Sequence, residues 1–461
     1  MTWLIDHLAV VMFFALLFIM FLGFPVAFLL GAVGVIFGVL GMVFDVFNMA
    51  QFANLLPRVY GSTIQNQVLV AIPMFIFMGT MLEKSGVAED LLHMLQLMLR
   101  GVPGGLAIAV TALGTIMAAT TGIVGASVVM LTLIALPVML ARGYDKSMSL
   151  GTIASAGTLG ILIPPSIMLV IMGDLMGVSV GTLFTGALIP GLLMSLLYVV
   201  YIAVLCFFRP HLAPRMRSVA DGGEALTTQM VIRGFVPAAA LIGLVLGSIF
   251  AGWATPTEAS GVGALGALGA MALAAAKKRL SMQVLRDVMT NSALTNAMVF
   301  FIFFGATLFS YVFRALGGDD VVLDILKATG IDTGWEVLIF VMVLVFIMGF
   351  FFDWIEICLI VLPIFGPIIG KLDFGTAVQG QPVILAWFAI LLAVNMQTAF
   401  LTPPFGFALF YMKGSVPAGV TMTDIYKGIV PFVLIQLLAL VLCIIFPELV
   451  LYLPRHFGFM D

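Results

Sequence analysis

The feature that most constrains this chain is the recurrence, along its whole length, of apolar stretches long enough to cross a lipid bilayer. A helix rises about 1.5 Å per residue, so about 20 apolar residues span the hydrocarbon core. Fourteen such stretches, some interrupted, can be marked out: 4–22, 24–43, 68–82, 102–122, 124–141, 149–175, 182–208, 234–252, 257–276, 289–316, 335–352, 354–370, 383–412 and 428–452. One soluble core cannot hide so many. The bilayer must be the solvent, and in lipid each spanning segment must satisfy its own backbone. Composition agrees. The 461 residues are 63% hydrophobic and 9% charged, where soluble domains carry roughly a quarter charged residues. The expected class is an all-α polytopic membrane protein.

Several functions are excluded early. A net charge of −3 gives no reason to expect nucleic acid as a partner. Cys206, Cys358 and Cys443 lie in apolar runs without CxxC spacing and read as small buried hydrophobes. The four histidines, His7, His93, His211 and His456, fall near segment ends, away from where a haem ligand or proton relay would sit. The N-terminus lacks a basic leader region and carries Asp6, so it reads as a retained first span. There is no phosphate-binding G-x-x-x-x-G-K-[ST]. A G-x-G-x-x-G at Gly261, Gly263 and Gly266 follows no strand and lies in an Ala/Gly-rich run, where small residues serve close helix packing. Ser127 and Ser166 have no nearby histidine, so no nucleophile–base pair and no catalytic residue is assigned, and no cofactor beyond coupling ions is expected. A channel would want a charged pore ring, which is missing.

Charge in the loops sets orientation. Basic residues Arg209, Arg215, Arg217 and Arg233, and again Lys277, Lys278, Arg279 and Arg286, flank the paired runs 234–252 and 257–276. Both loops are assigned to the cytoplasm. The run 289–316 then leads to an acidic loop with Asp319, Asp320, Asp324, Asp332 and Glu336, assigned to the exterior. On that frame the short runs 102–122 and 124–141 form a re-entrant hairpin entering from the cytoplasm. The runs 335–352 and 354–370 form a second, entering from outside. Each hairpin is followed by a long apolar segment broken in its middle, at Pro164-Pro165 and at Pro403-Pro404. Proline lacks an amide donor and disfavours helix in the residue before it. Matched broken helices of opposite orientation are the mark of an inverted-topology repeat, with the binding site at the breaks.

Unwound backbone at membrane depth is tolerated where it lines a cavity or binds a ligand, and hard cations take oxygen ligands. The expected first Na⁺ site comprises Thr121, Gly122, Ser127, Gly160, Ile163 and Pro165. The second comprises Gly349, Asp353, Ala399, Thr402 and Pro404. Substrate contact is expected from Ser127, Ser166, Asn395, Gln397 and Thr398, beside helix starts after each Pro-Pro that offer N–H groups to an anion; the alternative for Asn395, Gln397 and Thr398 is that they satisfy exposed carbonyls at the break. Glu258 reads as a helix-start residue beside Thr255 and Thr257, and Arg314 as a side chain snorkelling to the interface. Residues 83–100 are amphipathic and read as a helix lying on the cytoplasmic surface; 212–232 are a second, more polar arm.

Taken together, Ile72-Pro73-Met74-Phe75 through Gly79 and Glu83, Gly252-Trp253-Ala254-Thr255-Pro256-Thr257-Glu258-Ala259, Gly349 through Asp353, and Thr402-Pro403-Pro404-Phe405-Gly406 resemble the large membrane subunit of TRAP (tripartite ATP-independent periplasmic) transporters. The segment 79–86 and the first hairpin tip resemble the branch labelled mannitol/chloroaromatic-type. That tip, Thr121 to Ser127, departs from the Ser-Gly-Ser pattern of many members. The resemblance implies an elevator mechanism with Na⁺ coupling, two or more ions. It also implies a small four-helix membrane partner, here expected on a separate polypeptide, and a periplasmic substrate-binding protein delivering a small organic anion, carboxylate or sulfonate. The expected location is a bacterial or archaeal inner membrane. The expected division is 1–100 scaffold with interfacial arm, 101–181 transport half one, 182–334 scaffold with second arm, 335–413 transport half two, and 414–461 a C-terminal scaffold helix. The alternative function is a stand-alone ion-coupled organic-anion transporter.

Overall fold

The computed structural model describes residues 7–20, 22–121, 124–214, 224–275, 281–331, 333–403 and 406–460. Among them there is no strand. The helices are, in order, α1 (Leu8–Met20), α2 (Val26–Val43), α3 (Met49–Ala53), α4 (Leu55–Val59), α5 (Ala71–Lys84), α6 (Val87–Met98), α7 (Gly105–Thr121), α8 (Val124–Ala141), α9 (Lys146–Thr158), α10 (Ile167–Met176) and α11 (Val180–Phe208). There follow α12 (Thr228–Phe250), α13 (Pro256–Ala275), α14 (Met282–Ala315), α15 (Gly318–Ala328), α16 (Gly334–Met348), α17 (Trp354–Ile369), α18 (Gln381–Leu401), α19 (Phe407–Ser415), α20 (Met422–Ile445) and α21 (Glu448–His456). Among the described residues seven helices are long and apolar enough to cross a membrane, or eight if the bent pair 49–64 and 68–84 counts as one span. Phe14 and Phe18 on α1, and Leu265 on α13, lie largely exposed, as lipid-facing side chains must where the solvent is hydrocarbon.

Helices α5 to α11 are repeated as α14 to α20, and the packing repeats with them. Hairpin arms pair as α7 with α8 and as α16 with α17. The second arm α8 packs on α19, and its counterpart α17 packs on α10. Likewise α9 packs on α20, and α18 on α11. Each hairpin thus touches the far half of the other unit's broken helix, which brings the two breaks to the centre. Helix α18 sits there, buried over 94% of its most apolar window. Residues 383–394 are apolar all round and so have no polar stripe to turn to water, and the polar Asn395, Gln397 and Thr398 that follow are buried as well.

A short amphipathic helix precedes each hairpin. Helix α6 begins at Gly86 (φ 75°) and α15 at Gly317 (φ 76°). Both glycines are left-handed, a conformation other residues adopt at a cost. The turn is sharp enough to lay the helix against the bundle instead of continuing the span. Three boundaries differ from the sequence expectation. The acidic loop after 316 is largely helix α15. The stretch before 68 is helical from Met49 and meets 68–84 at a 55° bend. The C-terminal stretch is two helices, α20 and α21, and α20 packs against α9 and α18 of the broken segments. Of the 212–232 arm, 215–223 lie outside the described residues, and from Thr228 the arm is already the start of α12.

Candidate functional site

At the first break, α9 ends at Thr158, a 3-10 turn covers Leu159–Ile161, and α10 starts at Ile167. In an uninterrupted helix the amides of residues 164 and 165 would bond the carbonyls of Gly160 and Ile161, four residues back. Both are proline, so neither bond can form. The Ser166 hydroxyl donates to the Ile161 carbonyl. The Gly160 carbonyl keeps no helical donor, and Gly160, Ile163 and Pro165 are all buried. At the second break α18 ends at Leu401 and α19 starts at Phe407. By the same count Pro403 and Pro404 deprive the carbonyls of Ala399 and Phe400. Among the described residues the Ala399 carbonyl receives a single long bond, 3.4 Å, from the Thr402 amide. The Thr402 hydroxyl donates to the Thr398 carbonyl at 2.6 Å. Pro404 lies outside the described residues, as does Gly122; the side chain of Thr121 is likewise not described.

The second hairpin tip meets the second break directly. A Cβ on Gly349 would fall 1.9 Å from the Ala399 Cβ, so only glycine lets the end of α16 reach α18 there. Asp353 caps α17: its carboxylate accepts from the Trp354 amide at 2.8 Å, and Glu356 reaches back to the Asp353 amide at 2.5 Å. This is a capping box, so Asp353 carries a structural duty beside any role toward a cation. The two can be separated. Asparagine caps as well as aspartate. Asp353→Asn is expected to keep thermal stability and lose Na⁺ affinity; Asp353→Ala is expected to lose also about 1 kcal/mol of stability. Equal Na⁺ affinity in the wild type and Asp353→Asn would reduce Asp353 to a cap.

Ser127 is buried near the start of α8. Its neighbour Val128 packs on Gly157 of α9, and Gly125 packs on the Tyr411 ring of α19. The start of α8 therefore sits between the first broken helix and the far half of the second. The expected substrate residues separate by occupation. The Asn395 amide donates to the Met342 carbonyl on α16 at 2.7 Å, and the Thr398 hydroxyl to the Asn395 carbonyl at 2.6 Å. Ser166 is committed to Ile161. Gln397 is fully buried, and among the described residues both its amide nitrogen and oxygen lack a partner. A buried orphan amide costs about 1–3 kcal/mol, a cost that a ligand can offset. Among the described residues no three His, Cys, Asp or Glu side chains gather as a metal cluster.

Two arginines take partners that the sequence reading does not assign them. Arg314 does not snorkel freely; its guanidinium donates to the Pro363 carbonyl of α17. Pro367 explains why that carbonyl is open, since it lacks the amide that would bond residue 363. Arg58 stands on the stretch before α5, its guanidinium 5.7 Å from the centre of the Tyr311 ring. Gln51, Arg58, Ser62 and Asn66 recur at steps of 7, 4 and 4 residues, a helical stripe masked by the low average hydropathy of the stretch.

Residues 10–449 match the family described as tripartite ATP-independent periplasmic transporter, DctM component. The C4-dicarboxylate TRAP transporter large permease protein DctM of Pseudomonas aeruginosa is 30% identical over 398 residues, 86% of this chain and 88% of that protein. The isethionate TRAP transporter permease protein DctMQ of Oleidesulfovibrio alaskensis is 29% identical over 97% of this chain, which spans 66% of it. The ectoine TRAP transporter large permease protein TeaC of Halomonas elongata is 28% identical over 84% of this chain and 86% of that protein. The solved structure of the YdaH transporter of Alcanivorax borkumensis, described as having an unusual topology, aligns with a TM-score of 0.59 at 16% identity, over 85% of this chain and 87% of that one.

Proposed function

Because this chain belongs to the DctM component family of the tripartite ATP-independent periplasmic transporters and is a multi-pass large permease, we propose that it imports a small organic anion, carboxylate or sulfonate, driven by Na⁺ across a bacterial or archaeal inner membrane. The observation that carries this reading is the paired Pro-Pro break. Two sets of backbone carbonyls stripped of their helical donors, at Gly160 and Ala399, are presented at membrane depth beside the hairpin arms. A hard cation replaces the missing donors at each, giving two Na⁺ sites of the composition expected from sequence, and Gln397 faces the cargo. Relatives named for C4-dicarboxylate and isethionate support the anion class.

The mobile body comprises the two hairpins and broken helices, and it slides as an elevator against a scaffold built on α2, α5, α13 and α14. Since α20 packs on α9 and α18, the C-terminal helix travels with the mobile body in this proposal, not with the scaffold. A small four-helix membrane subunit on a separate polypeptide covers the scaffold, and a periplasmic binding protein delivers the cargo.

The test is uptake into proteoliposomes holding this chain and the small subunit, with a loaded binding protein outside. Uptake should require both the Na⁺ gradient and the binding protein; uptake indifferent to the binding protein would make this a stand-alone exchanger. The pair Ser127→Ala with Thr402→Val removes one hydroxyl near each break. It is expected to raise the Na⁺ concentration for half-maximal uptake by about 10-fold, on the order of one hydrogen bond to a charge. Unchanged Na⁺ dependence in that pair would remove the hydroxyls from the cation sites.

A further inference from the structure

We propose that the cavity between α4, α14, α10 and α17 is an anion-receiving vestibule, in which Arg58 and Arg314 hold the carboxylate or sulfonate of the cargo before it reaches the hairpin tips. The inference rests on the organic-anion reading above and adds to it a site distinct from both breaks. The cavity measures about 640 Å³, within the size of small-molecule sites. Its walls come from opposite bodies. Arg58, Ser62, Thr307 and Arg314 stand on the scaffold side, Asp174 and Pro363 on the broken helix and the second hairpin arm. It lies at the end of α14 that the loop charges assign to the exterior, and reaches inward along α17 as far as Leu359, nearly two turns from the cap at Asp353.

The charge is arranged for an anion. Among the described residues Arg58 has no carboxylate within salt-bridge distance, and its guanidinium lies over the Tyr311 ring, 5.7 Å from the centroid. Arg314 has Asp319 at 3.7 Å, with both side chains more than a third exposed, a geometry of little net strength. Burial pushes the Asp319 carboxyl up from its ordinary range, Arg314 beside it pulling the other way. The one wall carboxylate, Asp174, is held by the Asn66 amide at 2.5 Å. The lining of this concave site, with apolar walls from Phe303, Leu175 and Leu359, holds two guanidiniums and one carboxylate; Asp319 faces Arg314 from outside the lining, so the charge that attracts an anion here is that of Arg58, which has no carboxylate beside it among the described residues. Arginine's planar fork suits a carboxylate or sulfonate. Arg314 also ties α14 to the Pro363 carbonyl. An arriving anion competes for that guanidinium and so loosens the scaffold from the second hairpin arm at the moment cargo is present.

The test does not depend on transport. Ser310→Cys places a thiol on the cavity wall, while the native Cys206, Cys358 and Cys443 are buried. The full chain in nanodiscs is reacted with anionic sulfonatoethyl and cationic trimethylammonioethyl methanethiosulfonate, each rate divided by that of a free thiol in solution. The anionic reagent is expected to be favoured by about 10-fold, within the range of electrostatic steering. Arg58→Gln or Arg314→Gln should bring the ratio most of the way to unity, and Arg58→Lys should restore it. A ratio near unity in the Ser310→Cys chain, or one that ignores both Gln variants, overturns the proposal; monodispersity on size exclusion checks folding of each variant. In uptake, Arg58→Gln should raise the external KM for the anion about 10-fold and leave Na⁺ half-saturation unchanged. If the reagent ratio holds while uptake proves independent of Na⁺ or the binding protein, the functional reading falls and the vestibule stands. If uptake behaves as proposed and the ratio is unity, the vestibule alone falls.

Discussion

Replacing Gly349 by alanine is expected to abolish most Na⁺-dependent uptake and to lower stability, and adding Ala399→Gly to the same chain is expected to restore both. The new methyl would meet the Ala399 Cβ at 1.9 Å and the Ala399 Cα at 3.1 Å. Neither is the end of a flexible side chain, so backbones must part. Overpacking of this kind costs about 1–3 kcal/mol. More important for function, the separation falls at the second break, where the Ala399 carbonyl has lost its helical donor to Pro403. A cation held between the hairpin tip and that carbonyl tolerates little displacement. Ala399→Gly alone should cost about 1 kcal/mol, the helix propensity difference. The double variant exchanges the two methyls' places and should recover at least about 1 kcal/mol relative to additivity, as contacting residues do. Thermal unfolding in nanodiscs and the Na⁺ dependence of uptake measure the cycle. A fully active, fully stable Gly349→Ala would show that the tip does not pack on the break, and the second cation site would go with it.

Gln397→Leu should separate stability from function in the opposite direction. Both polar atoms of the Gln397 amide are buried and unpartnered among the described residues, which costs about 1–3 kcal/mol. Leucine has a similar volume and no polar group, so the variant is expected to unfold at the same temperature or higher. If the amide is kept for the cargo, uptake should fall by about 10- to 100-fold, the worth of a hydrogen bond to a charged group. Asn395→Leu is the control. Its amide holds the Met342 carbonyl on α16, so stability and uptake should fall together. A Gln397→Leu chain that transports normally would take Gln397 out of the substrate path.

Much of the fold follows from local chemistry and is therefore legible along the chain. Long apolar runs read as helices within the bilayer, because lipid offers the backbone no partners. The breaks are fixed by Pro164, Pro165, Pro403 and Pro404, whose missing amides act on carbonyls four residues away. Their opposite flanking charges reveal the inverted repeat. The open carbonyls of Gly160 and Ala399 need nothing beyond that counting. What only the tertiary structure decided is which polar groups are already occupied. Asn395 is bound to a carbonyl 53 residues distant, and Arg314 to one 49 residues distant; no local pattern tells these from the unpartnered Gln397. The polar helical stretch from Met49 was hidden because windowed hydropathy averages its stripe of Gln51, Arg58, Ser62 and Asn66 against apolar neighbours. Its partners lie on α14 and α10, and α17 lines the same cavity. The vestibule exists because folding sets those four elements around a common space, and a side chain's partner across such a space depends on long-range packing that sequence spacing does not encode.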